Sequence, residues 1–367
     1  MTYLWEKKQW PDLKWDEGHH SNLLATVSHE QGRLLGRMEG LGYELQKEVH
    51  LRTLTEEVIK SSEIEGEHLD ADQVRSSIAR RLGMNLTGLV PADRDVEGIV
   101  EMMLDATENF DEPLTEGRLH DWHAALFPTG RSGMVRIIAG AWRDDRDGPM
   151  QVVSGPMGRE TVHYEATPAD RIADEMARFL AWFADPGDAH PVLVAAMAHL
   201  RFVTIHPFDD GNGRIARAIA ELGLARSQMT PQRYYSMSSQ IRAEREDYYH
   251  VLERTQTGDM DVTHWLEWFL GCLHRAIESS AQTLDAVMAK ARFWDQFAKE
   301  PLNRRQIKVL DKLLDGFEGK LTSSKWARIA KCSQDTASRD INDLIERAVL
   351  KKDPGGGRST SYSIMDQ

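Results

Sequence analysis

One stretch limits the fold of this chain more than any other. Two apolar helical segments are joined by a short polar, glycine-bearing run, His206-Pro-Phe-Asp-Asp-Gly-Asn-Gly-Arg-Ile-Ala-Arg217. Upstream, Val192, Val194, Ala195, Met197, Ala198, Phe202 and Val203 predict a helix to Ile205, with Pro191 in its first turn. Pro207 should end that helix, because the residue before a proline disfavours the α region. His206 then stands at the helix exit. Asp209 to Gly213 can take the positive-φ conformations that turn backbone N–H groups toward one point. A second helix is expected from near Asn212 through Ile215, Ala218, Ile219, Leu222 and Leu224.

The residue types in this run suit chemistry on a polyphosphate. A helix N-terminus favours an anion through its free amides and its dipole. Arg214 and Arg217 are three apart and share a face of the first turn. Their planar guanidinium forks match phosphate oxygens. Asp210 offers an oxygen to Mg²⁺, which typically binds one or two carboxylates plus substrate phosphates. His206 can accept a proton from an attacking hydroxyl. Each part has a plain alternative: Gly-Asn-Gly as a turn, His before Pro as structure, the arginine pair as a solvated face. Their order and spacing together argue for a site. The Gly-Lys-Ser/Thr ending of a Walker A loop is missing.

The run resembles the signature of the Fic family, His-x-Phe-x-Asp/Glu-Gly-Asn-Gly-Arg-x-x-Arg, with every specified position filled. The resemblance implies an all-α, mainly helical fold: a Fic core bundle with a short β-hairpin flap. It implies a protein AMP transferase with His206 as general base and Asp210 as ligand of Mg²⁺ (or Mn²⁺). Phe208 would anchor the loop. Gly211, Asn212, Gly213 and Arg214 would hold the α- and β-phosphates of ATP, and Arg217 the γ-phosphate. Gly213 stands where phosphate-transferring relatives have lysine, which argues for nucleotidyl transfer.

Three further stretches extend the resemblance. Ser61-Ser-Glu-Ile-Glu-Gly66 resembles the inhibitory pattern Ser/Thr-x-x-x-Glu-Gly/Asn. Leu51 to Glu65 reads as helix, Gly66 as its cap, and Ser61 and Glu65 share a face. Glu65 would pair with Arg217 and occupy the γ-phosphate position; the alternative is a solvated glutamate at a helix end. Arg245 to Gln256 resembles the segment lining the adenosine pocket, with Tyr248, Tyr249 and Gln256 as its contacts; the alternative makes one tyrosine core and the other surface. Between Arg143 and Pro168, Val152-Val153 and Thr161-Val162-His163-Tyr164 read as a hairpin. This is the place of the Fic flap, which pairs with the target chain, and Thr161 to Tyr164 would be its nucleotide-facing edge.

The remainder bounds the setting. The chain has 367 residues and a formal net charge of −13. An acidic surface argues against general nucleic-acid binding. Two cysteines, Cys272 and Cys332, give no disulfide framework, so a cytoplasmic location is expected. No signal peptide and no stretch long enough to span a bilayer is read. His120 and His123 lie one turn apart without a third ligand and read as structural, not as a zinc pair. The expected domains are 1–90, an N-terminal helical domain with the inhibitory helix and spaced Trp5, Trp10 and Trp15; 91–275, the catalytic core; 276–300, a helical linker; and 301–367. In that tail Lys and Arg number 13 against 9 Asp and Glu, so it is +4 while the rest is −17. Its helices and glycine-tipped hairpin look like a winged helix-turn-helix, with Gln334, Thr336, Ser338 and Arg339 on the recognition helix and Lys351, Lys352 and Arg358 by the wing. Asp335, Asp340 and Asp343 weigh against DNA there, and protein docking is the alternative.

The expected function is adenylyl transfer from ATP to a Ser, Thr or Tyr hydroxyl of an unknown protein and of the chain itself, held off by Glu65. The alternatives are a DNA-binding regulator with a nucleotide-sensing core, and AMP removal at the same site. The sequence leaves a homodimer open.

Overall fold

The structure is a computed structural model that describes residues 2–84, 88–146, 148–154, 159, 161–297, 301–314, 319–354 and 360–365. The chain divides into two compact units, 1–281 and 282–367. The first is helical: α1 (Glu17–Glu39), α2 (Tyr43–Ile64), α3 (Ala71–Arg81), α4 (Arg94–Glu108), α5 (Glu116–Leu126), then α6 (Ala169–Ala184), α7 (Pro191–Ile205), α8 (Asn212–Gln228), α9 (Met237–Ala243), α10 (Arg245–Gln256) and the start of α11 (Thr263–Gln296). Between α5 and α6 lie two antiparallel hairpins, β1 (Arg131–Ser132) with β2 (Val135–Arg136), and β3 (Gln151–Ser154) with β4 (Thr161–Glu165).

α7 and α8 form the centre. Every residue of α7 after Pro191 is buried, which fits its mostly apolar sequence. His190 caps α7 with Pro191 at the first helical position, and Thr115 caps α5 by accepting from the Arg118 amide at 3.1 Å. Gly223 on α8 lets the two helices approach: a Cβ there would lie 2.8 Å from the Cβ of Ala195. α4 makes a similar approach at Gly98, where a Cβ would overlap the Ala125 carbonyl oxygen at 1.8 Å.

Residues from the N-terminal 1–90 segment share a core with the later helices. One core contains Leu4, Trp5, Trp10, Leu51 and Val58 together with Phe179, Phe202, Phe208 and Ile219. Two tryptophans tie the N-terminal segment to that core. Trp5 donates to the Glu165 carbonyl and Trp10 to the buried Glu175 carboxylate, both at 2.8 Å. Lys14 pairs with the turn before α11 through Met260 and Val262, each at 2.8 Å. The division between the two units falls inside α11, between Ala281 and Gln282.

The second unit has α12 (Arg304–Leu314), α13 (Ser323–Ala330), α14 (Gln334–Glu346), and β5 (Leu321–Thr322), β6 (Leu350–Lys352) and β7 (Ser361–Ile364) in the antiparallel order β5-β7-β6. Its own core holds Phe293, Val309, Leu310, Trp326, Ile341 and Leu344. Gln334, Ser338 and Arg339 are exposed and Thr336 half-buried on α14. Asp340 turns inward to accept from Arg305 at 2.8 Å, and Asp343 pairs with Arg347 at 2.9 Å. Arg358 at the wing tip lies outside the described residues. Among the described residues no helix is long and apolar enough to cross a membrane.

Candidate active site

α7 ends where Pro207 requires it, and His206 takes the left-handed conformation, φ 55°. The imidazole Nδ1 lies 3.3 Å from the Val203 carbonyl oxygen. Donation from Nδ1 leaves Nε2 with its lone pair, the tautomer a base needs. Burial, then repulsion by Arg143, pulls the His206 pKa down to about 4, so the ring is neutral at pH 7.

The loop is closed by its own residues. The Phe208 amide donates to Asn212 Oδ1 at 3.0 Å, and Asn212 Nδ2 donates to the Phe208 carbonyl at 2.8 Å. The Asn212 side chain is thereby used up inside the loop, and only its backbone faces an incoming anion. Of the glycines only Gly211 is left-handed, φ 79°, and a Cβ there would lie 2.9 Å from Phe127. Gly213 serves a different need. It is helical, and a Cβ would lie 2.2 Å from Glu65 Oε1.

Two residues outside the run support it. Arg143 is 3% exposed, donates from Nε to the His206 carbonyl at 2.9 Å and also to Thr167, and pairs with Asp145 at 2.8 Å. Its amide holds the Pro207 carbonyl at 3.0 Å. His123 stacks on Phe208 with centroids 4.1 Å apart, donates to the Asp210 carbonyl at 3.2 Å and accepts from Gly140 at 3.0 Å. It is structural, as its sequence context suggested. Sequence reasoning missed Arg143, whose partners in the loop region are backbone carbonyls that leave no pattern in a sequence.

Asp210 accepts from Ser132 and, at 2.6 Å, from the Gly211 amide. Among the described residues no group of three or more His, Cys, Asp or Glu could hold a metal. A lone carboxylate fits an ion completed by phosphate oxygens, not a protein cage.

Both arginines of the α8 first turn are engaged by the end of α2. Arg217 Nε donates to Ser61 Oγ and Nη2 to the Ser61 carbonyl, each at 2.8 Å, and Nη2 lies 2.8 Å from Glu65 Oε1. Burial pulls the Arg217 pKa down, but Glu65 and neighbouring tyrosines outweigh it and the net shift is upward. Arg214 pairs with Glu67 at 2.5 Å, a partner not singled out in the sequence. The turn aims both carboxylates. Gly66 is left-handed, φ 84°; its amide reaches the Glu63 carbonyl at 3.1 Å, and the Glu67 amide reaches that of Ser62 at 3.0 Å. That pair of bonds is a Schellman turn. Arg245 Nε holds the Ile64 carbonyl at 2.9 Å.

The remaining expected contacts divide. Tyr249 is half-buried beside the site, with Arg245 5.2 Å over its ring. Tyr248 is 2% exposed, 2.9 Å from His199 Nε2 and packed on Trp265 and Trp268. A ring so enclosed has no free face for a nucleoside. Gln256 is also buried, 3.4 Å from the Val203 carbonyl and Thr204. In β4, Tyr164 is a core side chain that donates to Thr204, whereas Thr161 and Val162 are exposed and His163 lies 3.2 Å from Glu253. Only the backbone of Tyr164 remains for a flap edge. Val153 and Val162, cross-strand partners, are 47% and 45% exposed.

Residues 113–224 match the Fic/DOC family, and residues 3–84 match a domain of unknown function, DUF4172. A protein adenylyltransferase Fic of Nematostella vectensis is 33% identical over 120 residues, 32% of this chain and 26% of that protein. One of Drosophila mojavensis is 31% identical over 118 residues, 32% of this chain and 22% of that protein. The chain thus spans about a quarter of the length of these relatives. The crystal structure of a Fic family protein from Desulfovibrio desulfuricans G20 shares the fold at TM-score 0.56 and 23% identity, covering 98% of this chain and 99% of that one. A Fic domain containing signaling protein from Bacteroides thetaiotaomicron does so at 0.51 and 19%, over 70% of this chain and 95% of the other.

Proposed function

Because residues 113–224 are a Fic/DOC family domain, we propose that the chain is a protein adenylyltransferase that Glu65 holds off. The observation that carries this reading is the pair of α8 arginines, aimed at an anion beside a neutral His206 and engaged by Glu65 and Glu67. ATP would place its β- and γ-phosphates at the α8 N-terminus, among the amides after Gly211 and the forks of Arg214 and Arg217. His206 Nε2 takes the proton of a Ser, Thr or Tyr hydroxyl. That oxygen bonds to the α-phosphorus, the α–β P–O bond breaks, and pyrophosphate leaves. Mg²⁺ or Mn²⁺, held by Asp210 and phosphate oxygens, would neutralise charge on the departing pyrophosphate. Tyr249 is the best-placed adenosine contact of the three expected.

Glu65 competes with the γ-phosphate for Arg217, so resting activity should be weak. Removing it frees a charge-assisted pair, which corresponds to about 10- to 100-fold in rate. The test is labelling with radioactive ATP and Mg²⁺. Wild type should self-modify weakly, Glu65→Gly about 10- to 100-fold faster, and Glu65→Gly/His206→Ala not at all. Equal labelling by all three would sink both assignments. The AMP-removing alternative is read by the same proteins, incubated with pre-modified chain and no ATP.

A DNA role for the second unit is a separate reading. It is favoured by the engagement of Asp340 and Asp343 with Arg305 and Arg347, which leaves α14 less acidic than its sequence. Loss of retardation in a salt series with the full chain would be its signature; no retardation at low salt removes it.

A further inference from the structure

A cavity of about 380 Å³ opens in the first unit between the segment Pro11–Trp15 and helices α6 and α7. None of the residues of the 206–217 loop lines it. Its floor holds Arg201, which is 5% exposed. The guanidinium carbon sits 4.2 Å from the centroid of Trp182. Its Nε is shut off from solvent with no acceptor, and among the described residues no carboxylate or carbonyl takes a hydrogen bond from the group. The buried Glu175, whose charge acts on Arg201, is bonded elsewhere. Glu175 already accepts from Arg171 at 2.8 Å, from Arg178 at 2.5 Å and from Trp10 at 2.8 Å. Trp15, another lining residue, has a buried Nε1 with no acceptor among the described residues. Asp12 lies exposed at the rim.

A buried cation and a buried indole N–H without acceptors are costly, and native proteins pair such groups with a ligand or ordered solvent. Arg201 remains charged at neutral pH even though burial draws its pKa down to about 10. The fork geometry of arginine matches a carboxylate in bidentate fashion. Trp182, Leu13 and Met197 supply apolar walls, and the volume falls in the range of small-molecule sites. We infer that this cavity binds a small organic carboxylate with a flat apolar body, its carboxylate on Arg201 and its body against Trp182. The inference stands apart from the AMP-transfer reading, since it uses no residue of that site.

The test is equilibrium binding to the full chain, followed by tryptophan fluorescence and by ligand-detected NMR. The probes are benzoate and phenylacetate against benzamide and phenylacetamide. The carboxylates should bind at least about tenfold more tightly than their amides. Arg201→Gln should abolish that preference. Ala189→Phe, which fills the cavity and leaves Arg201 in place, should weaken carboxylate binding by about tenfold or more with an unchanged circular dichroism spectrum. Should Arg201→Gln not fold, Ala189→Phe decides. Equal affinity for acids and amides, full binding by Ala189→Phe, or no saturation by either acid up to ~10 mM would each overturn the proposal. The last result means that solvent alone satisfies Arg201.

Discussion

Two regions meet at Arg214 and Arg217, and they are held in different ways. The 206–217 loop is fixed by groups that solvent hardly reaches: Asn212, Phe208 and Arg143 are at most 3% exposed, and Arg143 donates to backbone carbonyls and Asp145. The 61–67 turn reaches the same arginines with carboxylates that stay partly wet, Glu65 at 30% and Glu67 at 44%. An ion pair open to water is exchanged for another anion at small cost, whereas a buried one is not. The loop is therefore built as a permanent cradle, and the turn as a replaceable occupant of it. On this contrast, substitutions in the loop's supports should lower activity, and substitutions in the turn should raise it.

The largest effect is expected at Arg143. In a Glu65→Gly background, Arg143→Ala removes the contacts that hold the His206 and Thr167 carbonyls and leaves Asp145 without its cation. Displacing a catalytic group by about 1 Å costs on the order of 100-fold, so labelling by ATP should fall by about that factor. The thermal midpoint should fall as well, because breaking a buried pair strands its partner. Activity equal to the parent would show that the loop needs no outside support, and the contrast would lose its first half.

Arg143 also marks how far the sequence could be read. The helix exit at His206, the left-handed Gly66 and the shared face of Ser61 and Glu65 follow from local rules of proline, glycine and helical period, and each was legible. Gly213 was legible as a glycine but not for its reason. It is there because Glu65 approaches within 2.2 Å of where a Cβ would sit, a contact between residues 148 positions apart. Tyr248, Tyr164 and Asn212 show the same limit. Their side-chain types suit ligand contact, and only the packing of α7, α10 and α11 sends Tyr248 into the core. The docking of the N-terminal segment on the core was hidden for a related reason: the acceptors of Trp5 and Trp10 lie some 160 residues away. Glu67 was hidden by ordinariness, an exposed-looking acid just past a helix cap.

Within the turn the two smaller predictions rank its parts. Ser61→Ala removes the hydroxyl that accepts from Arg217 Nε but leaves the Ser61 carbonyl and Glu65 in place. A single hydrogen bond of about 1 kcal/mol corresponds to a rise of about fivefold in basal labelling. Glu67→Gln keeps the shape and removes the charge opposite Arg214. Its carboxylate is more exposed than that of Glu65, and a pair screened by water on one side contributes under about 1 kcal/mol, so about twofold is expected. Glu67→Gln activating more than Ser61→Ala would make Arg214, not Arg217, the arginine that matters for inhibition.

The smallest expected effect is an absence of change, and it probes the buried half of the contrast. Burial, then Arg143, draws the His206 pKa down to about 4. The neutral ring, which is the form that accepts a proton, therefore persists at every pH above that value and is lost as pH falls through about 4. The rate of Glu65→Gly should be flat from about pH 6 to 8, with no inflection at the ordinary histidine value of about 6.5. Stability carries the same signature. The unfolded ring titrates near 6.5 and the folded one near 4, so the unfolded state binds more protons between those values. The contribution of His206 to stability is then complete above about 6.5 and erodes as pH falls toward 4. A rate inflection near 6.5 would mean that the working enzyme solvates its imidazole. The loop would then be as open to water as the turn that covers it, and the difference between the two regions would reduce to charge alone.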